Sequence, residues 1–185
     1  MEKTKEKINK IDAILEQSGA PVLKYFNPGI PPEHLIKLFH EQKIRPDPAL
    51  IALYEWHNGI NFPAEGIIHS VVEIMPMSMF YNLEDMLKTR EEMAKWPYVK
   101  NASEYLPIFG SSEDDLYLLN NTTGEIFYLS PAATIYGELA FASIDAMLDL
   151  IIECYEEKIF TIDHLKGLRC KEDEYFEKLE QYRPI

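Results

Sequence analysis

Cysteine is too scarce for a disulfide framework: Cys154 and Cys170 are the only two in 185 residues. A bond between them remains open, but reduced thiols fit an intracellular chain better. Cys170 lies between Arg169 and Lys171, where a thiolate is expected to be somewhat stabilised. Glycine is also sparse. The 8 glycines stand singly, as at Gly59, Gly66, Gly110, Gly124 and Gly137, so no glycine-rich loop is available to cradle a nucleotide phosphate. No apolar run approaches the roughly 20 residues that cross a bilayer. The charged start, Met1 to Lys7, leads into no secretory stretch, so no membrane association and a cytoplasmic location are expected. Positive charge is the last deficit. Lys and Arg total 18 against 31 Asp and Glu, a net charge of -13. Residues 1–92 carry 10 basic and 14 acidic side chains, and residues 93–185 carry 8 and 17. Nucleic-acid binding draws its affinity from phosphate neutralisation, so direct nucleic-acid binding is not expected. A basic protein partner would be attracted and its encounter accelerated, although acidity also serves solubility alone.

What is present is ample apolar material. With 46% hydrophobic and 12% aromatic residues, the chain can bury a core large enough to offset backbone ordering. Its length suits one domain spanning 1–185. Ile8, Ile11, Ile14 and Leu15 recur at helical spacing and predict an amphipathic helix over 3–17, ended by Ser18-Gly19. A Pro- and Gly-containing break leads into a short helix over 32–42. Asp47 and Pro48 then start a helix that carries Tyr54, Trp56, His57 and Asn58 near its end and closes at Gly59. The Ile- and Val-rich stretch Gly66 to Met75 reads as a strand. Asn82 caps a helix over 83–95, with Asp85 placed to reach back to the first turn. Leu106 to Gly110, Asp115 to Leu119 and Glu125 to Leu129 read as strands, the last two joined as a hairpin by Asn120 to Gly124. Ser143 caps an apolar-faced helix over 144–157, and a last helix covers 172–182. Helices and strands do not alternate regularly. The expected class is therefore α+β, an antiparallel sheet of about four to six strands covered by helices, with N-terminal helices over 1–44 and a helical extension over 156–185.

Catalytic patterns are not found. The histidines, His34, His40, His57, His69 and His164, form no metal-binding pair one helical turn apart. His57, read as ending a helix, is explained by the favourable terminal carbonyls. No nucleophile elbow occurs, and neither cysteine has a histidine beside it in sequence. Glu113-Asp114-Asp115 is the densest carboxylate run but lacks the alternating ligands of a calcium loop, and it reads as a solvated turn. No catalytic, cofactor-binding or metal-binding residue is therefore assigned.

Pro48 to Gly59, with Tyr54, Trp56 and the closing Asn58-Gly59, resembles the signature helix of the SUKH superfamily. That superfamily includes cell-wall-assembly regulators of the Smi/Knr kind and bacterial immunity proteins. The similarity runs over about residues 45–155, through Met75-Pro76, Leu83-Glu84, Leu106-Pro107-Ile108, Leu116 to Leu119 and Ala142-Ser143-Ile144. It departs at the turn before the second hairpin strand, where Gly110 precedes two serines and the acidic run. The resemblance implies an α+β fold and a protein-binding role, with Tyr54, Trp56, Asn58 and Gly59 as structural members of the motif. The leading expectation is a non-catalytic immunity protein that neutralises a basic cognate toxin domain such as a nuclease. A regulatory scaffold in cell-wall assembly or signalling is the alternative, and an unrecognised enzyme the second. Glu113, Asp114 and Asp115, then Glu153, Glu156 and Glu157, are the candidate partner-binding residues.

Overall fold

The apolar stripes of the sequence set the first half of the fold. In the computed structural model, which describes residues 1–61, 68–111 and 115–184, α1 spans Glu2–Ser18 and buries Ile8, Ile11 and Leu15. Gly19 adopts φ 62, and its amide and that of Ala20 return to the carbonyls of Glu16 and Leu15, ending the helix. A strand β1 (Phe26–Pro28) precedes α2 (Pro32–Glu41), which buries Leu35 and Phe39. Helix α3 (Pro48–Trp56) starts where Asp47 Oδ1 accepts from the amides of Ala49 and Leu50 at 2.9 and 3.2 Å. Leu50 to Tyr54 are all buried, so α3 runs through the core.

The helix stops earlier than its sequence pattern indicates. His57 and Asn58 already belong to β2 (His57–Ile60), which pairs antiparallel with β1, and His57 is extended at φ -142 and ψ 142. Its ring stacks on Phe26 at 4.2 Å between centroids, and burial lowers its pKa. The helix-terminus account of His57 therefore fails: strand pairing captures the residue first.

The strand expected over Gly66–Met75 does not form between residues 68 and 75. Gly66 and Ile67 lie outside the described residues. From Ile68 onward the chain makes a single 3₁₀ turn at His69–Val71 and an isolated bridge between Met75 and Ser78. Val72, Ile74 and Met75 are nevertheless buried. Their β-branched and apolar character reports burial, which an irregular segment with local hydrogen bonds satisfies as well as a strand does.

The main sheet follows as an antiparallel meander of β3 (Met79–Phe80), β4 (Tyr105–Gly110), β5 (Leu116–Asn120), β6 (Ile126–Ser130) and β7 (Ile135–Phe141), neighbours in that order. Between β3 and β4 lies α4 (Leu83–Met93), shorter at its end than the periodicity indicates. The β5–β6 turn is closed by Asn120 Oδ1, which accepts from the amides of Thr122 and Thr123. Side chains alternate across the sheet. Tyr117, Leu119 and Ile126 join the main core with α1, α3 and α5 (Ile144–Glu156). Leu116, Leu118 and Leu129 meet a smaller cluster with Met93 and Ala102 on the other face. With both faces covered, all five β5 positions are buried, and Leu116 to Leu119 read in sequence as an unbroken apolar run.

The C-terminal extension is not wholly helical. A hairpin of β8 (Phe160–Asp163) and β9 (Gly167–Cys170) precedes α6 (Glu172–Tyr182). Asp163 Oδ1 accepts from the amides of Leu165 and Lys166 at the turn. The fold is α+β, as the order of elements predicts.

Candidate functional site

The Asn58-Gly59 signature works as a structural junction. Asn58 Oδ1 accepts from the amide of Leu83 at 2.9 Å, supplying a partner for a free N–H at the start of α4. Asn82 Oδ1 takes the amide of Asp85 at 2.8 Å, while its Nδ2 donates to the carbonyl of Ile60 at 3.1 Å and to Asp85 at 2.7 Å. Gly59 sits at φ 56, so close to the backbone of Tyr81 and Asn82 that a Cβ would lie 2.3 Å from each. Tyr54, fully buried, donates its hydroxyl to the carbonyl of Tyr81 at 3.1 Å. Trp56 is half-buried, and its Nε1 donates to Asp12 at 3.2 Å. These four residues tie α3 and β2 to the turn that launches α4 and to α1.

The sequence-nominated acidic residues fare differently. Glu113 and Asp114 lie outside the described residues. Asp115 is 6% exposed, with one carboxylate oxygen lacking a hydrogen-bond partner among the described residues, so it is not the exposed acid of a solvated turn. Glu153 and Glu156 on α5, and Glu157 just past its end, carry ion pairs within the chain. Glu153 and Glu157 hold Lys178 at 3.1 and 2.6 Å, and Glu156 meets Lys10 at 2.7 Å. A hydrogen bond from the Tyr182 hydroxyl, then Lys178, holds the Glu153 carboxyl below its ordinary range. These glutamates clamp α6 and α1 onto α5.

Among the described residues, unpaired acidity remains on α6, as it does at Glu84, Glu91 and Glu92 of α4, and α6 is a segment that sequence reasoning identified as a helix but not as a surface. Tyr175 and Leu179 turn inward, and the Tyr175 ring packs on Phe160 at 5.4 Å. Exposed positions carry Glu172, Asp173, Glu174, Glu177 and Glu180, with Phe176 among them at 57% exposure. Lys171 pairs with Glu174 and Arg183 with Glu180, both at 3.0 Å. Glu172, Asp173 and Glu177 have no ion-pair partner among the described residues. The available signal was the period: a four-residue step from Tyr175 to Leu179 places Phe176 off the buried stripe.

Beneath α6, a cavity of about 370 Å³ opens between the helix, the Pro76–Ser78 turn and the sheet. Tyr117, Tyr128, Ile135 and Ala140 form its sheet wall, while Tyr175 and Leu179 form its helix wall. Tyr175 is 4% exposed, and its hydroxyl faces that of Tyr117 without a well-formed hydrogen bond to any described residue. Burial pushes the Tyr117 phenol up to about 12 and that of Tyr175 well above its ordinary value. Cys170 also lines the cavity. Its thiol is pushed up to about 11 by burial and then by Glu172. Its basic neighbours do not create the expected thiolate, because Arg169 faces Asp163 and Lys171 faces Glu174. Buried Cys154 is raised further, to about 12, again mainly by burial, and both cysteines are free thiols. The cavity wall is therefore neutral at physiological pH, with charge confined to Glu172 and Arg183.

Among the described residues, no three His, Cys, Asp or Glu side chains cluster closely enough to hold a metal ion, and no helix is long and apolar enough to cross a membrane. No protein-family model matches the chain, and no curated protein matches it in sequence.

Proposed function

We propose that this chain is a non-catalytic protein-binding domain of the SUKH kind, an immunity protein that neutralises a basic cognate toxin domain and docks it on α6. The observation that carries this reading is the surface of α6: exposed Phe176 surrounded by the unpaired carboxylates of Glu172, Asp173 and Glu177. Aromatic side chains dominate the energy of protein interfaces, and a field of one sign around them selects and steers an oppositely charged partner. A nuclease toxin is basic because it binds phosphates, so an acidic helix with an aromatic centre matches such a partner in charge. The linear pattern from Pro48 to Gly59 supports the family side of the proposal independently.

The test is co-expression with any toxin domain found encoded beside this gene, combined with the triple variant Glu172→Lys, Asp173→Lys and Glu177→Lys. The native chain should restore growth. The variant should associate more slowly, with a weaker dependence of the association rate on salt. Failure of the native chain to bind or neutralise a toxin, with capture of a host cell-wall or signalling protein instead, would replace immunity with a scaffold role.

A further inference from the structure

We propose that the cavity beneath α6 is a socket for one tryptophan or tyrosine side chain of the bound protein, presented beside a lysine or arginine. The inference rests on the protein-binding reading and names the anchor that the face would accept.

Shape and lining select an aromatic side chain. A volume of about 370 Å³ falls near the lower end of the roughly 300–1,000 Å³ typical of ligand clefts. Ile135, Ala140 and Leu179 supply apolar contact, while the rings of Tyr117 and Tyr128 supply aromatic faces. Exposed Met77 and Phe176 also line the cleft, so an entering side chain meets apolar surface before it is enclosed.

The hydroxyls of Tyr117 and Tyr175, which face each other in poor hydrogen-bond geometry, select a polar tip. Two buried phenols paired this way leave hydrogen-bonding capacity unused, and an indole N–H or a phenol entering the cleft would take it up. Tryptophan and tyrosine combine that tip with a large apolar body, whereas phenylalanine lacks it.

Charge selects the neighbour. The neutral phenols and thiol of the wall favour a neutral side chain inside. Arg183 is already compensated by Glu180 at 3.0 Å and faces Glu138 at 3.9 Å. Glu172 has no such partner, and Asp173 and Glu177 share its helix, so a cation beside the inserted ring completes the match.

Titration of the full chain, isotope-labelled at its methyl groups, with the capped tripeptide Lys-Trp-Lys tests this by NMR. Saturable shifts should centre on Ile135, Ala140, Leu179 and Met77. Replacing tryptophan by alanine should weaken binding roughly 10- to 100-fold. Replacing it by phenylalanine should weaken binding less, and flanking glutamates should weaken it several-fold. Glu172→Gln, an exposed change, should reproduce part of the charge effect. Ile135→Trp, which fills the socket from β7, should abolish the shifts while preserving the rest of the methyl spectrum. If Ile135→Trp perturbs the fold, the peptide series and Glu172→Gln decide alone. Equal binding by the alanine peptide, or shifts spread over the acidic surface without saturation, would overturn the socket. Toxin neutralisation by a folded Ile135→Trp chain would also overturn it while leaving the protein-binding reading intact. Saturable binding in the socket without any neutralised toxin would do the reverse.

Discussion

Replacing Gly59 by alanine places a methyl carbon 2.3 Å from the Tyr81 carbonyl carbon and the Asn82 nitrogen, where side-chain carbons essentially never approach within 3.0 Å. Gly124→Ala supplies the control, because Gly124 also has positive φ, at 85, but its added carbon would meet nothing within 4 Å. Both variants incur the strain of a left-handed backbone, roughly 1–2 kcal/mol. Only Gly59→Ala must also move Tyr81 and Asn82. That backbone is pinned by the Tyr54 hydroxyl, by Asn58 through Leu83 and by Asn82 through Ile60. Each hydrogen bond disturbed costs about 1 kcal/mol, so Gly59→Ala should lose about 3–5 kcal/mol and Gly124→Ala about 1–2. Urea unfolding followed by tryptophan fluorescence reads the difference, with Trp56 beside the junction. At roughly 2 kcal/mol per molar urea, the Gly59 midpoint should fall by about 1.5–2.5 M and the Gly124 midpoint by less than about 1 M. Midpoints within about 0.3 M of each other would refute the close-packing account of the Asn58-Gly59 motif.

Lys7→Met keeps the apolar stem but removes the bonds from Nζ to the Asp145 carbonyl at 2.9 Å and to Asp149 at 2.7 Å. A loss of about 1–2 kcal/mol is expected in thermal melts. Asp149→Asn should cost less than about 1 kcal/mol because its side chain is 42% exposed. Burial pushes the Glu73 carboxyl up to about 7, partly opposed by the amide of Met77. The folded state then holds its proton more tightly than the unfolded state, so this contribution is full below the unfolded value and is lost as pH rises towards 7. Glu73→Gln should flatten the stability profile between about pH 4.5 and 7 by on the order of 1–2 kcal/mol, as read by urea titrations across that window. Iodoacetamide should label Cys154 and Cys170 at least roughly ten-fold more slowly in the native chain at pH 8 than in urea, because burial keeps both thiols protonated. Mass spectrometry resolves the two sites, and fast native labelling at half-buried Cys170 would contradict its raised pKa.

Local chemistry made much of the fold legible. Asp47-Pro48, Asn82 and Ser143 mark helix starts because their side chains accept from backbone amides two or three residues ahead. The β5–β6 hairpin was visible because Asn120 and Gly124 meet the needs of its turn within the segment itself. Features settled by distant partners were harder to read. Trp56 ends α3 because β1, some thirty residues earlier, captures His57 and Asn58 into a strand. Ile68 to Met75 look strand-like because Val72, Ile74 and Met75 are buried, yet Gly167 approaches Ser70 from the far end of the chain and the backbone there stays irregular. Strand β7 contains Gly137 at φ 91 and pairs with β6 through register shifts, which blurs the two-residue alternation that would have announced it.

The candidate site was legible in sign but not in place, for a reason rooted in tertiary pairing. A charge count locates acidity after residue 92, where Glu153, Glu156 and Glu157 and the run from Glu172 to Glu174 look equivalent. Folding separates them. Lys178 projects from α6 between Glu153 and Glu157, and Lys10 reaches Glu156 from the first helix, so the cations nearest α5 serve internal docking. Because Lys178 turns inward, the outer face of α6 loses its only basic side chain within the helix and keeps Glu172, Asp173 and Glu177 unpaired. One lysine therefore fastens the helix and leaves its outer surface acidic. Lys178→Ala should weaken α6 docking by removing the cation that Glu153 and Glu157 share, and it should reduce partner binding even though it makes the chain more acidic. Hydrogen exchange of the α6 amides, measured beside partner affinity, separates these effects: faster exchange with weaker binding supports a face organised by Lys178, whereas tighter binding through added negative charge alone would refute it.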